Sequence, residues 1–136
     1  MGRVLALDVG DKRIGLALSD PMKMIANPYD TLWRKEIKSD MRQIAALCIE
    51  KDVDTIVCGL PRSMDYSESV QTLKVREFAE ELKNYTDRKI VFVDERLTTV
   101  GAQRVLIEGN VRREKRKDVI DKVAATLILQ SYLETI

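Results

Sequence analysis

The chain has 136 residues, 45% of them hydrophobic and 33% charged, with 23 basic against 22 acidic residues and no histidine. That is the composition of one soluble globular domain, residues 1–136, with no apolar run near the roughly 18 to 20 residues of a membrane span. The near-zero net charge gives no global pull on nucleic acid, and the missing histidine excludes Ser-His-Asp and Cys-His catalysis as well as ordinary zinc sites.

Met1-Gly2-Arg3 leads straight into a strand rather than a signal peptide, so a cytoplasmic location is expected. Val4-Leu5-Ala6-Leu7-Asp8-Val9-Gly10 reads as a strand buried on both faces, with a carboxylate near the middle of a sheet. Burying an ionised carboxylate without a partner costs several kcal/mol or more, so Asp8 must be paired, neutralised or bound to a metal. The alternative is a turn-opening residue that accepts backbone N–H groups. Arg13 to Asp20 is a second strand, and Val9 to Lys12 supply a hairpin turn with glycine. Met24 to Trp33 is a third, on an edge or irregular because of Pro28.

Glu36 to Lys51 is a helix, with Ile37, Met41, Ile44, Ala45 and Cys48 at helical spacing. Val53 to Leu60 is a strand that ends at Gly59-Leu60-Pro61. A loop over Arg62 to Ser67 follows, then a second helix capped by Ser67 or Ser69, with Val70, Leu73, Phe78 and Leu82 inward. Lys89 to Glu95 is another apolar strand ending in acid. A short helix runs from Thr98 or Thr99 to about Ile107, with Gly109-Asn110 as its stop. The cationic run Arg112 to Lys117 precedes a final helix from Asp118 to Leu133. Cys48 and Cys58 read as small core residues. The order implies an α/β fold, a mixed sheet antiparallel at first and parallel later, with helices on its faces. Sites in such sheets form beyond the carboxyl ends of the parallel strands.

Three acids stand out. Glu95 closes its strand, and strand alternation lets at most one of Asp94 and Glu95 point where Asp8 points. Pairing with Arg96 or capping the next helix is the plain alternative. Asp121 lies on the arc of Ala124, Ala125, Ile128 and Tyr132, inside an apolar stripe, whereas Asp118 fits a helix-start acid better. If the three converge, their repulsion is relieved by a hard divalent cation, and two such ions about 4 Å apart can clamp the attacking and leaving oxygens of a phosphodiester. Such chemistry needs no histidine. Five of the six residues Arg112, Arg113, Glu114, Lys115, Arg116 and Lys117 are cationic. Runs of this kind are usually solvated loops; this one stands beside Asp121, where it can grip phosphates. Lys12, Arg13, Arg34, Lys35 and Lys38 add to the same expected surface.

Leu7-Asp8-Val9-Gly10-Asp11-Lys12-Arg13-Ile14-Gly15, Gly59-Leu60-Pro61, Asp94-Glu95-Arg96-Leu97-Thr98-Thr99 and the segment from Asp121 through Tyr132-Leu133 resemble the YqgF family, also called RuvX. The blocks span essentially the whole chain, in order and at compatible spacing. The resemblance implies a ribonuclease-H-like fold with a mixed five-stranded sheet, related to the RuvC Holliday-junction resolvases. It implies a bacterial nuclease that processes the 5′ end of pre-16S rRNA, with Holliday junction resolution the alternative. Carried over by position, Asp8, Glu95 and Asp121 are the catalytic and metal-binding acids for Mg²⁺ or Mn²⁺. From their charge and their place beside these acids, Lys12, Arg13, Arg96, Arg112, Arg113, Lys115, Arg116 and Lys117 are the expected nucleic-acid contacts. Asp118 with Asp121 also resembles the paired acids of RuvC. Asp11 stands where threonine is common, and Tyr66 where the loop often has glycine. Partners implied are pre-16S rRNA or branched DNA, ribosomal particles and, by analogy with resolvases, a second copy of the chain. Two rivals remain. A non-catalytic RNA- or ribosome-binding module would gain by losing acids beside phosphate, and all three are kept. Asp8-Val9-Gly10 also resembles the first phosphate loop of the actin and sugar-kinase superfamily, but those proteins close two such domains around ATP.

Overall fold

The computed structural model describes residues 2–61, 69–95 and 113–136, the stretch 113–122 by its backbone alone. The expected helix near residues 98–107, Arg96, Arg112 and Tyr66 lie outside the described residues. Five strands form one sheet: β1 (Arg3–Val9), β2 (Arg13–Ser19), β3 (Ala26–Trp33), β4 (Val53–Leu60) and β5 (Lys89–Asp94). Their order is β3-β2-β1-β4-β5. β1 pairs antiparallel with β2 and β2 with β3, while β1 with β4 and β4 with β5 are parallel. The mixed sheet read from the sequence is therefore the observed one.

β1 sits at the centre because its run of apolar residues suits burial on both faces. Odd positions Leu5, Leu7 and Val9 face one core, and even positions Val4 and Ala6 face the other. The first core is closed by α1 (Ile37–Glu50), through Met41, Ile44 and Cys48, and by α2 (Val70–Leu82), through Val75, Phe78, Ala79 and Leu82. The second is closed by α3 (Arg113–Leu133), through Ala124, Ala125, Ile128 and Leu129. Each large side chain fully buried this way contributes roughly 1.5–3 kcal/mol. Cys48 and Cys58 are buried in the first core, and burial pushes their thiols up to about 11 and about 12. They stay protonated and inert at neutral pH. No helix among the described residues is long and apolar enough to cross a membrane.

Three expectations need correction. α3 begins at Arg113, five residues before the expected Asp118, so four of the five cations belong to its first turns rather than to a loop. Arginine, lysine and glutamate are good helix formers, and nothing in the run breaks the helix. Val70 and Leu73 are exposed, while Thr72, Val75 and Ala79 face the core beside Phe78 and Leu82. The cause is local: Ser69 caps α2 by accepting from the Thr72 N–H at 3.2 Å, and the Thr72 hydroxyl donates to the Pro61 carbonyl, which turns Thr72 inward. Arg34 is the third case and belongs to the site. Pro28, as expected, lies on an edge strand, where β3 shifts register against Leu16 and Ala17.

Candidate active site

Asp8 lies one residue before the end of β1, only 9% exposed. Strand alternation from Val4 and Ala6 puts it on the α3 face. On β2 its direct partner is Gly15, which shares that face with Ala17. On its other side is β4, where Leu7 pairs with Cys58, so the next residue, Gly59, stands beside Asp8. A side chain at Gly59 would collide with Ile128, whose Cγ1 is 3.1 Å from the ideal Cβ position, and would come 3.5 Å from Glu95 Cγ. Asp8 is thus flanked on both neighbouring strands by residues with no side chain. The result is a narrow trough along the sheet, floored by backbone.

Glu95 follows β5 directly. Val93 pairs with Gly59 and belongs to the α3-side core, so Glu95, two residues further on, returns to that face. Its position against Gly59 brings it to the same trough as Asp8; Asp94, in register with Leu60, faces the other way. Two of the three expected acids are therefore brought together. Asp121 is placed by its backbone only: it sits in α3 one turn before the buried pair Ala124 and Ala125, and two turns before Ile128, which covers Gly59. The other end of α3 lies against Lys23 to Ala26, and Ala26 pairs with Ser19 near the start of β1. The helix therefore runs toward the carboxyl ends of β1 and β4 as it is followed back to Asp121.

The hairpin that follows Asp8 is fixed by several contacts. Gly10 donates to the Arg13 carbonyl at 2.9 Å, and a Cβ there would stand 2.8 Å from that oxygen, which explains the glycine. From the opposite face of the sheet, Arg34 donates through Nη1 to the Gly10 carbonyl at 2.8 Å. Its Nε lies 3.5 Å from Asp40 Oδ2, and the guanidinium stacks on Phe78 with 5.2 Å to the ring centroid. Arg34 was expected on the cationic surface; it is instead a brace, held there by a carboxylate that is 1% exposed. Gln71 adds a bond to the Val9 carbonyl at 3.3 Å, and Lys74 pairs with Asp11 at 3.3 Å. A hollow of about 620 Å³ lined by Arg34, Asp40, Gln71, Lys74 and Phe78 lies on this rear face, away from Asp8. The sequence reading missed Asp40; its only signal was an acid among the apolar positions of α1. Lys12 is exposed and Arg13 half-buried at the front of the turn.

The family model for RuvX, described as a Holliday junction resolvase, matches residues 2–135. The chain belongs to the RuvX family. A RuvX relative from Clostridium tetani, named "Putative pre-16S rRNA nuclease", is 46% identical over 134 residues, covering 98% of this chain and 97% of that protein. One of the same name from Clostridium acetobutylicum is 47% identical, covering 98% of this chain and 99% of that protein. Among solved structures, T. thermophilus RuvC in complex with Holliday junction substrate superposes with a TM-score of 0.59 over 98% of this chain and 94% of that one, at 7% identity. RuvX and RuvC thus share a fold, the one expected from the sequence.

The donor set of the trough suits a hard cation. Asp8 and Glu95 offer only oxygen, the flanking glycines add no side chain beside them, and the nearest thiol, Cys58, faces the opposite core. Among the described residues no cluster of three or more metal-binding side chains occurs; a third ligand would have to come from elsewhere, and α3 carries Asp121 in that direction.

Proposed function

We propose that this chain is a single-domain, divalent-metal-dependent nuclease of the cytoplasm that cleaves phosphodiester bonds at the 5′ end of pre-16S rRNA. The observation that carries the reading is the pair Asp8 and Glu95 in one glycine-flanked trough at the carboxyl ends of parallel strands. Two carboxylates so placed repel each other, and a divalent cation between them relieves that repulsion. Relatives covering the whole chain and named as pre-16S rRNA nucleases support the substrate.

In this reading Asp8, Glu95 and Asp121 hold Mg²⁺ or Mn²⁺. When bound, the cation supplies Lewis-acid polarisation of the phosphoryl oxygens. The remaining work is done by the chain itself. Asp8 is fixed on a central strand whose turn is braced from behind by Arg34 and Gln71, so its carboxylate is held in place before substrate arrives. Gly15 and Gly59 put no side chain of their own beside the Asp8 carboxylate, and Ile128 of α3 covers the sheet at Gly59. Lys12, Arg13, Arg96, Arg112, Arg113, Lys115, Arg116 and Lys117 bind the flanking phosphates. Four of these cations occupy the first turns of α3, where the positive end of the helix dipole makes them costly unless an anion is bound.

Cleavage of a four-way DNA junction is the second reading, favoured by the RuvX description and the fold shared with RuvC. Paired incisions across a junction require two active sites, so this reading, unlike the first, demands a homodimer. The test is a cleavage assay with Mg²⁺ and Mn²⁺ on an RNA that carries the pre-16S 5′ leader and on a four-way DNA junction, with Asp8→Asn beside each. The variant is expected to lose at least about a hundredfold in rate while binding nucleic acid as tightly or more so. Undiminished cleavage by Asp8→Asn would falsify the assignment of the site. Cleavage of the junction alone would replace the first reading with the second.

A further inference from the structure

Trp33 is the only tryptophan of the chain, and it is 56% exposed at the end of an edge strand. Its cross-strand partner is Arg13, whose guanidinium lies over the indole with 5.1 Å to the ring centroid. Both side chains are on the α3 face, because their neighbours Ile14 and Leu32 point into the opposite core. That is the face of Asp8. The row containing Asp8 continues through Gly15 on β2 to Thr31 on β3, and Trp33 stands two residues beyond Thr31. From strand spacing and rise, about 12 Å separate the Cα atoms of Asp8 and Trp33, with Gly15 and Arg13 on the strand between.

An exposed indole is a poor choice for the edge of a sheet unless it contacts something, since charged residues protect edges better. The cross-strand pair with Arg13 accounts for one ring face. The large remaining exposure falls on the other face and the rim. Two cations stand beside it, Lys12 and Arg13, and the Arg34 N–H bonded to the Lys12 carbonyl at 2.9 Å holds the two strand ends together. An aromatic face set in a cationic rim is what binds a single-stranded nucleic acid, the base stacking on the ring and the backbone following the charges.

We propose that Trp33 is a stacking platform for an unpaired base of the substrate, a few nucleotides from the cleaved bond, with Arg13 and Lys12 meeting the neighbouring phosphates. Stacking reads no particular base, so the site selects single-stranded over paired nucleic acid rather than one sequence over another. This rests on the nucleic-acid reading of the trough, but it makes a separate physical claim about an open base. A structural role for the Arg13–Trp33 pair would stabilise the hairpin and do nothing to distinguish ligands.

The single tryptophan supplies the experiment. The full chain, with chelator present to prevent cleavage, is titrated with short oligo(U), oligo(dT) and an abasic oligomer of equal length, following indole emission. Both base-bearing strands are expected to quench Trp33, and the abasic strand to bind more weakly and leave the emission nearly unchanged. Trp33→Leu should weaken oligo(U) binding by about ten- to a hundredfold with little effect on the abasic strand, and Trp33→Phe should recover most of the loss. Equal quenching by the abasic strand, no quenching by either base-bearing strand, or unaltered affinity in Trp33→Leu overturns the proposal. Failure of the nuclease reading looks different: Asp8→Asn would cleave normally while base-dependent quenching persisted.

Discussion

On its α1/α2 face the sheet presents Leu5, Leu7, Ile14, Leu16, Ile56 and Leu60, and the helices answer with Met41, Ile44, Phe78 and Leu82. On its α3 face it presents Val4, Ala6, Ala17 and Val57 together with the two glycines, and α3 answers with Ala124, Ala125, Ile128 and Leu129. The first interface is thick, formed by large side chains that interdigitate, and removes most apolar area from water. The second is thin. Small residues on the sheet and in α3 let the α3 backbone approach the sheet, and at Gly15 and Gly59, the latter covered by Ile128, no side chain crowds the carboxylates of Asp8 and Glu95. One face of the sheet supplies stability, and the other exchanges some of it for a site.

Two substitutions can break that division. Leu7→Ala removes a fully buried side chain from the thick face, next to Asp8 in sequence but on the other side of the sheet. It should cost about 2–5 kcal/mol, a loss on the order of 10 °C in Tm, while the cleavage rate per folded molecule changes little. Gly59→Ala adds one methyl to the thin face, where it meets Ile128 and crowds Glu95. The expected stability loss is smaller, about 1–3 kcal/mol, but cleavage should fall tenfold to a hundredfold as Glu95 is displaced. Melting curves and rates normalised to the folded fraction decide the matter. If both variants lose activity only in proportion to stability, the two faces are not divided as described.

How far this was legible in the sequence follows from the same contrast. β1 and β4 were readable because short continuous apolar runs fit strands buried on both faces, and the α1 stripe because apolar residues recur at helical spacing. Asp8 and Glu95 were readable as acids at the ends of apolar strands, and Asp121 as an acid in an apolar arc whose members Ala124, Ala125 and Ile128 are indeed buried. What escaped depended on tertiary partners. Thr72 turns inward because of the Pro61 carbonyl, which no helical wheel displays. Arg34 looks like any surface cation until Asp40 and Phe78 are brought to it from two different helices. Gly15 and Gly59 lie 44 positions apart and become a pair of walls around Asp8 only when β2 and β4 take opposite sides of β1. The start of α3 was misplaced because a run of like charge was read as a loop, although its members favour a helix.

The thin face has one further support, at the far end of α3. The Asp20 carboxylate accepts the backbone N–H groups of Met24 and Ile25 at 2.8 Å each and of Met22 at 3.2 Å, closing the loop against which Leu133 and Ile136 lie. These bonds, that from Ile25 foremost, hold the Asp20 carboxyl below the usual carboxylate range. A carboxyl depressed in the folded state contributes stability that is complete above its unfolded pKa, near 3.9, and is lost as pH falls through the lower folded value. Asp20 is partly open to solvent, so the effect is small, on the order of a degree or two in Tm. The wild type should melt above Asp20→Ala by a constant margin from about pH 7 to about pH 5, and the margin should close as acid is added below about pH 4. A margin unchanged at the lowest pH would mean that the loop draws nothing from the charge. The seam between α3 and the sheet would then rest on its small-residue packing alone, and Gly59→Ala would cost more than about 3 kcal/mol.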